Sequence, residues 1–324
     1  MLLGFDIGGT KSTVVIGKEG LDGGIEIIDK ELMPTNLPVG PMIELLLVTA
    51  ENLLFKNSTS ADQFDGIGIS CGGPLNSKKG LILSPPNLPG WDNIPIVELI
   101  NNRFKIKPLL QNDANACAVA EWKYGAGKGY NSLIFLTFGT GMGAGLILDG
   151  KLYSGISNLA GEVGHIRLSD MGPVGFGKAG SFEGYCSGGG IAQLAQIKAL
   201  EKLQMGVKLS FCSGFEDLPK ITAKSVAEAA KNGDEVALNV YKICAEYLGK
   251  ALAIFIDILN PEIIILGSIY ERARPLLEPI LLDVIQREAL ADSKDACLIV
   301  PAGLSENIGN IAALSLALIS KESR

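Results

Sequence analysis

Two aspartates sit where acid–base or metal chemistry is possible. Asp6 ends an apolar run and is followed by Gly8, Gly9, Thr10 and Lys11 in the stretch LLGFDIGGTKSTVVIG. A carboxylate beside a glycine turn can hold Mg2+ next to a phosphate, directly or through water. It could equally be a turn aspartate bonding its own backbone. Asp113 lies in QNDANA, where an apolar stretch gives way to a helical one. A carboxylate at the C-terminal end of a strand faces the ligand crevice of an α/β sheet, and phosphoryl transfer to a hydroxyl needs a carboxylate base there. Capping the helix is the plainer role for Asp113. Asn112, beside it, has an amide suited to a polyhydroxy ligand.

The glycines around Asp6 have a counterpart. TFGTGMGAGLIL at 137–148 repeats the pattern of DIGGTKSTVVI at 6–16: an apolar strand, a glycine turn with a threonine, and a second apolar strand. Such a turn lets successive backbone N–H groups converge on an anion. The glycines at 139, 141, 143 and 145 are not a dinucleotide fingerprint. That motif must open a helix, whereas LILDG is a strand. A Walker A motif is absent too, because GGTKS has its lysine after threonine and GAGKG lacks the distal Ser/Thr. One such hairpin could be an ordinary turn; two, one of them beginning with Asp6, weaken that reading in favour of an anion such as phosphate.

The elements that must position these residues alternate. A strand entering a loop is expected over 66–76, a strand from 108 up to a turn at Asn112–Asp113, strand, glycine turn and strand over 132–152, and strands at 262–268 and 297–304, besides the opening glycine hairpin. Helices are expected after Pro95, from Ala114 to Tyr124, from about 191 to 204 with Ser187 as cap, at 223–231 and 234–259, at 275–290 and at 307–319. The second of the 223–259 pair should stop at Asn260–Pro261. Alternation of this kind defines an α/β class. A chain of 324 residues allows one large domain or two of ordinary size, and 47% hydrophobic residues suffice for a packed core. The net charge of −7, without a Lys/Arg block, argues against nucleic acid. MLLGFDIGGT is no signal peptide. LGKALAIFIDILNPEIIILG is interrupted by Lys250, Asp257, Pro261 and Glu262, so no membrane span is expected. Cys71, Cys117, Cys186, Cys212, Cys244 and Cys297 are scattered, with no C-x-x-C pair, as in reduced cytoplasmic proteins.

One stretch remains, GEVGHIRLSDMGPVGFGKAGSFE at 161–183, which holds the only histidine of the chain, His165. It has the outline of a metal loop yet contains no cysteine. Taken with DIGGTK (6–11), PNLPGW (86–91), NDANA (112–116), GTGMGAG (139–145), GEVGH (161–165) and NPEIIILG (260–267), it makes the chain resemble the ROK family of sugar kinases and repressors nearly end to end. The resemblance implies an actin/hexokinase-like (ribonuclease H-like) two-domain ATPase fold with a cleft between the domains. The small α/β domain would comprise 1–112 plus 303–324 and the large one 113–302.

Carried over by match, Asp113 resembles the family's general base. Asn87, Asn112, Glu162, His165 and Glu183 resemble its sugar contacts. Gly8, Gly9, Thr10, Lys11, Gly139, Thr140 and Gly141 would face the phosphates of ATP, Gly267 would lie near the nucleoside, and Asp6 would orient Mg2+, through water. Ser268 stands where the family usually has the second of two glycines. Family members commonly hold a structural zinc with the histidine and three cysteines; here Val174, Phe176 and Ser181 occupy the cysteine positions, so no zinc is expected. Packing by Val174 and Phe176 is expected to fix the loop instead, leaving His165 as a sugar ligand alone; a core histidine bonded to a backbone carbonyl is the plainer alternative. The implied activity is ATP-dependent phosphorylation of a hexose, with glucose O6 foremost and N-acetylhexosamine, mannose, fructose and allose as alternatives. ATP is expected ahead of polyphosphate. A cytoplasmic homodimer is implied. A non-catalytic sugar sensor or a repressor is the alternative of another class. A repressor would need a DNA-binding segment before Asp6, and a dead sensor would be expected to lack Asp113 or the phosphate glycines.

Overall fold

The computed structural model describes residues 1–21, 23–59 and 64–322. The last two residues of the expected 303–324 segment therefore lie outside the described residues. In chain order, Leu2–Ile7 (β1) and Lys11–Glu19 (β2) form an antiparallel hairpin around the first glycine turn, with Ile7 opposite Ser12. Ile25–Pro34 (β3) pairs antiparallel with β2, and Val39–Lys56 (α1) follows. Neither element was anticipated from the sequence. α1 nevertheless buries Met42, Ile43, Leu46, Leu47, Ala50, Leu53 and Leu54, a helical stripe at three- and four-residue spacing. Gly66–Cys71 (β4), the short pair Leu75–Asn76 (β5) and Leu81–Ile82 (β6), Ile96–Phe104 (α2), Leu109–Asn112 (β7) and Asp113–Tyr124 (α3) come next. β1 through β4 and β7 form one sheet in the order β3-β2-β1-β4-β7, with β1, β4 and β7 parallel.

Farther on lie Leu133–Leu136 (β8), the hairpin Ala144–Leu148 (β9) and Lys151–Tyr153 (β10), Val174–Gly175 (β11), Lys178–Ala179 (β12), Phe182–Tyr185 (α4), Gly188–Gln204 (α5), Ala223–Lys231 (α6) and Glu235–Leu259 (α7). The chain then forms Ile263–Leu266 (β13), Ile269–Glu288 (α8), Ala291–Asp295 (α9), Leu298–Pro301 (β14) and Ile308–Glu322 (α10). β8, β13 and β14 run parallel. Ser187 caps α5 as expected, its Oγ accepting Gly190 N at 2.9 Å. The helix starts at Gly188, earlier than the expected 191, because a Cβ on Gly190 would lie 2.0 Å from Gly184 O, and only glycine lets α4 and α5 approach that closely. α7 ends at Asn260, whose φ of 43° is a left-handed cap, with Pro261 next. α8 begins six residues before the expected Pro275 because a first segment joins it across a kink at Ala273 (φ −114°, ψ 16°). Among the described residues no helix is long and apolar enough to cross a membrane.

The chain divides into two compact units, one of Met1–Gly129, Gly145–Ala160 and Gly303–Arg324, the other of Tyr130–Ala144 and Gly161–Ala302. In the first unit α1 and α2 cover one face of the five-stranded sheet, and their side chains join Phe5, Ile67, Ile69 and Leu110 in a continuous core. α10 covers the other face, where Ala313, Leu314 and Ala317 meet Leu2 and Val15. The alternating glycines of GIGISC are explained by this contact. A Cβ on Gly66 would fall 1.9 Å from Ala317 O, and one on Gly68 would fall 2.1 Å from Ala313 O. Helix and sheet are therefore nearly backbone to backbone here.

A buried carboxylate secures the same unit. Glu121 of α3 is fully buried and accepts three backbone N–H groups, from Ala126 at 2.8 Å, Gly303 at 3.0 Å and Leu304 at 2.9 Å. It joins the chain leaving α3 to the chain entering α10. Glu121→Ala leaves three part-buried donors without their acceptor, and we expect a loss of about 2 kcal/mol or more in unfolding free energy. An unchanged urea midpoint at unchanged m-value would contradict this account.

Candidate active site

In the first unit the C-terminal ends of parallel β1, β4 and β7 bring the candidate residues to one edge. The strand register sets Asp6 beside Ser70, Ser70 beside Gln111, and Cys71 beside Asn112. The turn after β1 is closed by Gly8 N donating to Lys11 O at 3.1 Å. A Cβ on Gly9 would lie 2.4 Å from Asn87 O, so the 85–91 loop rests directly on the glycine turn. Thus Asn87 and the Gly8–Lys11 turn, matched separately by motif, are brought together. At the start of α3 the cap is Asn112. Its side chain accepts Ala114 N at 3.0 Å and Asn115 N at 3.4 Å. Asp113 occupies the first helical position, with Oδ1 accepting Ala114 N at 2.8 Å. The capping role conceivable for Asp113 thus belongs largely to its neighbour, which leaves Asp113 Oδ2 outside the cap.

Both aspartates are perturbed. Burial and then the Asp113 charge push the Asp6 carboxyl up to about 6, with the Ser70 hydroxyl opposing the rise. Burial likewise raises Asp113 above the usual carboxylate range, against the hydrogen bonds from the backbone at 113–114. Asp113 still keeps a face open to water, so it is partly dehydrated yet accessible. Ser70 itself is fully buried, and its Oγ has no hydrogen-bond partner of good geometry; it lies near enough to Asp6 to favour the charged form without completing a bond. A raised carboxylate pKa means that the folded chain binds more protons than the unfolded chain between pH 4 and 6. Stability must therefore fall as pH rises through that window, by at most about 3 kcal/mol for Asp6 and less to the extent that water screens it. In metal-free buffer Asp6→Asn should match the parent near pH 3.5 and be more stable at pH 7.5. Parallel stability–pH curves for the two proteins would rule this out.

The second unit holds the other glycine turn. Thr137 N and Oγ1 bracket Gly143, Gly139 N donates to Gly141 O at 3.0 Å, and Gly188 N donates to Gly139 O at 2.8 Å. Gly267 donates to Leu136 O at the end of β8. A Cβ on Gly139 would lie 4.0 Å from the Ser268 hydroxyl, which places Gly267–Ser268 beside the turn. Arg272, not singled out in the sequence, reaches back to Ser268 Oγ at 2.6 Å. Glu162 and His165 flank a short helical turn, Val163–His165. That turn packs against the glycine loop, since Ala144 N donates to Gly161 O and a Cβ on Gly164 would meet Met142 O at 2.3 Å. Glu183 Oε2 accepts Met142 N at 3.0 Å. Glu183, expected only on the sugar side, is therefore tied to the loop that contains Gly141 and Thr140. The tie joins residues 41 apart, and nothing in their spacing announces it.

The 172–183 loop departs from expectation in how it is held. Val174 and Phe176 do not bury themselves, being 46% and 67% exposed. Polar contacts secure the loop. Gln193 forms a two-way bridge to Val174 N and O, Gly180 N donates to Pro173 O, Arg167 donates to Ala179 O, and Tyr185 donates to Met171 O. The buried Ser181 caps α4 by accepting Gly184 N at 3.1 Å, so its hydroxyl has a structural task. With two apolar side chains and a cap at the matched positions, this donor set does not fit zinc. No group of three or more His, Cys, Asp or Glu side chains converges among the described residues.

Comparison with known proteins bears on the family and the fold. The family model described as "ROK family" matches residues 2–319. A glucokinase of Halalkalibacterium halodurans is 33% identical over 86% of this chain and 83% of its own length. A glucokinase of Thermotoga maritima is 29% identical over 97% and 96%. A xylose repressor of Caldicellulosiruptor bescii is 34% identical over 75% of this chain, but this chain spans only 60% of it. Among solved structures, a ROK hexokinase from Thermus thermophilus superimposes with a TM-score of 0.82 at 24% identity, covering 100% and 99% of the two chains. A ROK family glucokinase from Streptomyces griseus, in complex with glucose and AMPPNP, gives 0.77 at 26% identity over 98% and 99%. With two mixed sheets and this match over nearly its whole length, the chain has the actin-like ATPase fold and belongs to the ROK family.

Proposed function

We propose that this protein is an ATP-dependent sugar kinase that transfers the γ-phosphoryl group of ATP to a hexose hydroxyl, with glucose O6 the foremost acceptor. The glucokinase relatives support the kinase activity and favour glucose. The observation that carries the chemistry is Asp113, a partly dehydrated but accessible carboxylate at the first turn of α3, with its pKa raised and Asn112 beside it. A general base is most effective when its pKa approaches the working pH, and burial moves Asp113 in that direction. In this reading Asp113 takes the proton from the attacking hydroxyl. Asn87, Asn112, Glu162, His165 and Glu183 orient the sugar, and the Gly8–Lys11 and Gly139–Gly141 turns direct backbone N–H groups at the phosphates. Gly267 approaches the nucleoside.

Asp6 suits a hydrated Mg2+. It is a buried carboxylate flanked by the unpartnered Ser70 hydroxyl, an arrangement that accommodates a water shared with a cation. Such an ion, when bound, would neutralise charge on the transferred phosphoryl group. The chain's own contribution is a preset anionic position. Gly309 approaches it so closely that a Cβ there would lie 2.3 Å from Asp6 Oδ2.

The test is an ADP-release assay over glucose, mannose, fructose, allose and the N-acetylhexosamines, together with Asp113→Asn. The parent should turn over glucose, and Asp113→Asn should lose at least about a hundredfold in kcat with sugar affinity nearly unchanged. The acid limb of kcat/KM should lie above the ordinary carboxylate range. Turnover by Asp113→Asn at the parent rate would refute the base; folded parent inert towards every sugar would refute the kinase.

A further inference from the structure

The hairpin β11–β12 has a costly tip. Val174 pairs with Ala179 and Gly175 with Lys178, so the connecting residues are Phe176 and Gly177. Both have positive φ, 44° and 75°. A two-residue turn of this form favours asparagine, aspartate or glycine at its first central position, and a bulky side chain there is an outlier. The Phe176 ring gains little from burial in exchange, since it is 67% exposed. The ring meets His165 edge to face, with centroids 5.1 Å apart and planes at 88°. Two residues on, Lys178 Nζ donates to His165 O at 2.7 Å. The hairpin thus grips the backbone of His165 from β12 and its imidazole from the turn. A backbone outlier whose side chain meets a candidate site residue is grounds for inferring function.

We propose that Phe176 is a positioning residue for sugar recognition, holding the His165 imidazole in the rotamer that meets the substrate. This rests on His165 being a sugar contact, as proposed above. Edge-to-face packing restricts rotation of the imidazole ring. The hairpin does not depend on Phe176 for its own integrity, because the Gln193–Val174 bridge, the Gly180–Pro173 bond and the Ser181 cap anchor its base.

The unique histidine makes the experiment direct, because the imidazole Cε1–H gives a single NMR signal. In the parent that signal should be displaced from its position in free imidazole and should move again when glucose is added. Phe176→Asn installs a residue the turn prefers, so the melting temperature should hold or rise. The His165 signal should then return toward the free position, and KM for sugar should rise about fivefold or more with KM for ATP within about twofold, as expected when a binding group loses its orientation. Phe176→Tyr should restore the parental signal and KM. An unchanged sugar KM in Phe176→Asn, or equal rises in both KM values, would overturn the inference. Should Phe176→Asn not fold, Phe176→Leu is judged by the same signal and KM split. A parent inert towards all sugars would sink the kinase reading instead, whereas an active parent with an unmoved His165 signal in the variant would sink this one alone.

Discussion

The first unit is organised around an electrostatic conflict. The Asp113 charge acts on Asp6 in surroundings that partly dehydrate both, and each carboxyl is pushed toward its neutral form. Strand geometry enforces the arrangement, because β1 and β7 flank β4 in parallel and deliver both carboxylates to the same edge. The neighbouring features can be understood as accommodating it. Ser70 sets a hydroxyl beside one carboxylate, Asn112 takes over the cap so that the other is not consumed by it, and Gly309, lacking a Cβ, leaves room for Asp6. A fold left alone would discard such a pair; retaining it makes sense when a cation and a proton acceptor are needed there.

The second unit is organised by contact between loops that chemistry would treat separately. The 161–165 turn lies against the 142–144 segment, and Glu183 reaches the same place through the Met142 amide. Groups matched to the sugar and groups matched to the phosphates are thereby parts of one packed surface. Hydrogen bonds made by Gln193, Arg167 and Ser181, rather than burial of Val174 and Phe176, hold its outer loop.

Local signals were readable in the sequence, and non-local ones were not. The β1–β2 hairpin, the Ser187 cap and the Asn260–Pro261 stop each depend on a few adjacent residues whose preferences agree, and each is present. The α1 stripe is regular, but helical spacing alone does not say which sheet it covers. Asn112 and Asp113 are both competent caps one residue apart, and only three-dimensional placement separates their tasks. Val174 and Phe176 are apolar, yet side-chain type says nothing of whether neighbours exist to cover them, and here few do. The Glu121 clamp and the Glu183–Met142 tie join distant segments, so neither has a local pattern to betray it.

The seat of α10 on Gly66 and Gly68 has a bearing on how the chain comes to exist. β1 precedes α10 by nearly all the elements described, yet they share one packed face. During synthesis the glycine-notched side of β1 and β4 stays bare until α10 emerges, whereas Tyr130–Ala144 and Gly161–Ala302 are complete before then. The unit that is started first is therefore finished last. Until α10 is available, the strand face that Gly66 and Gly68 leave open for it has no other cover in the described unit.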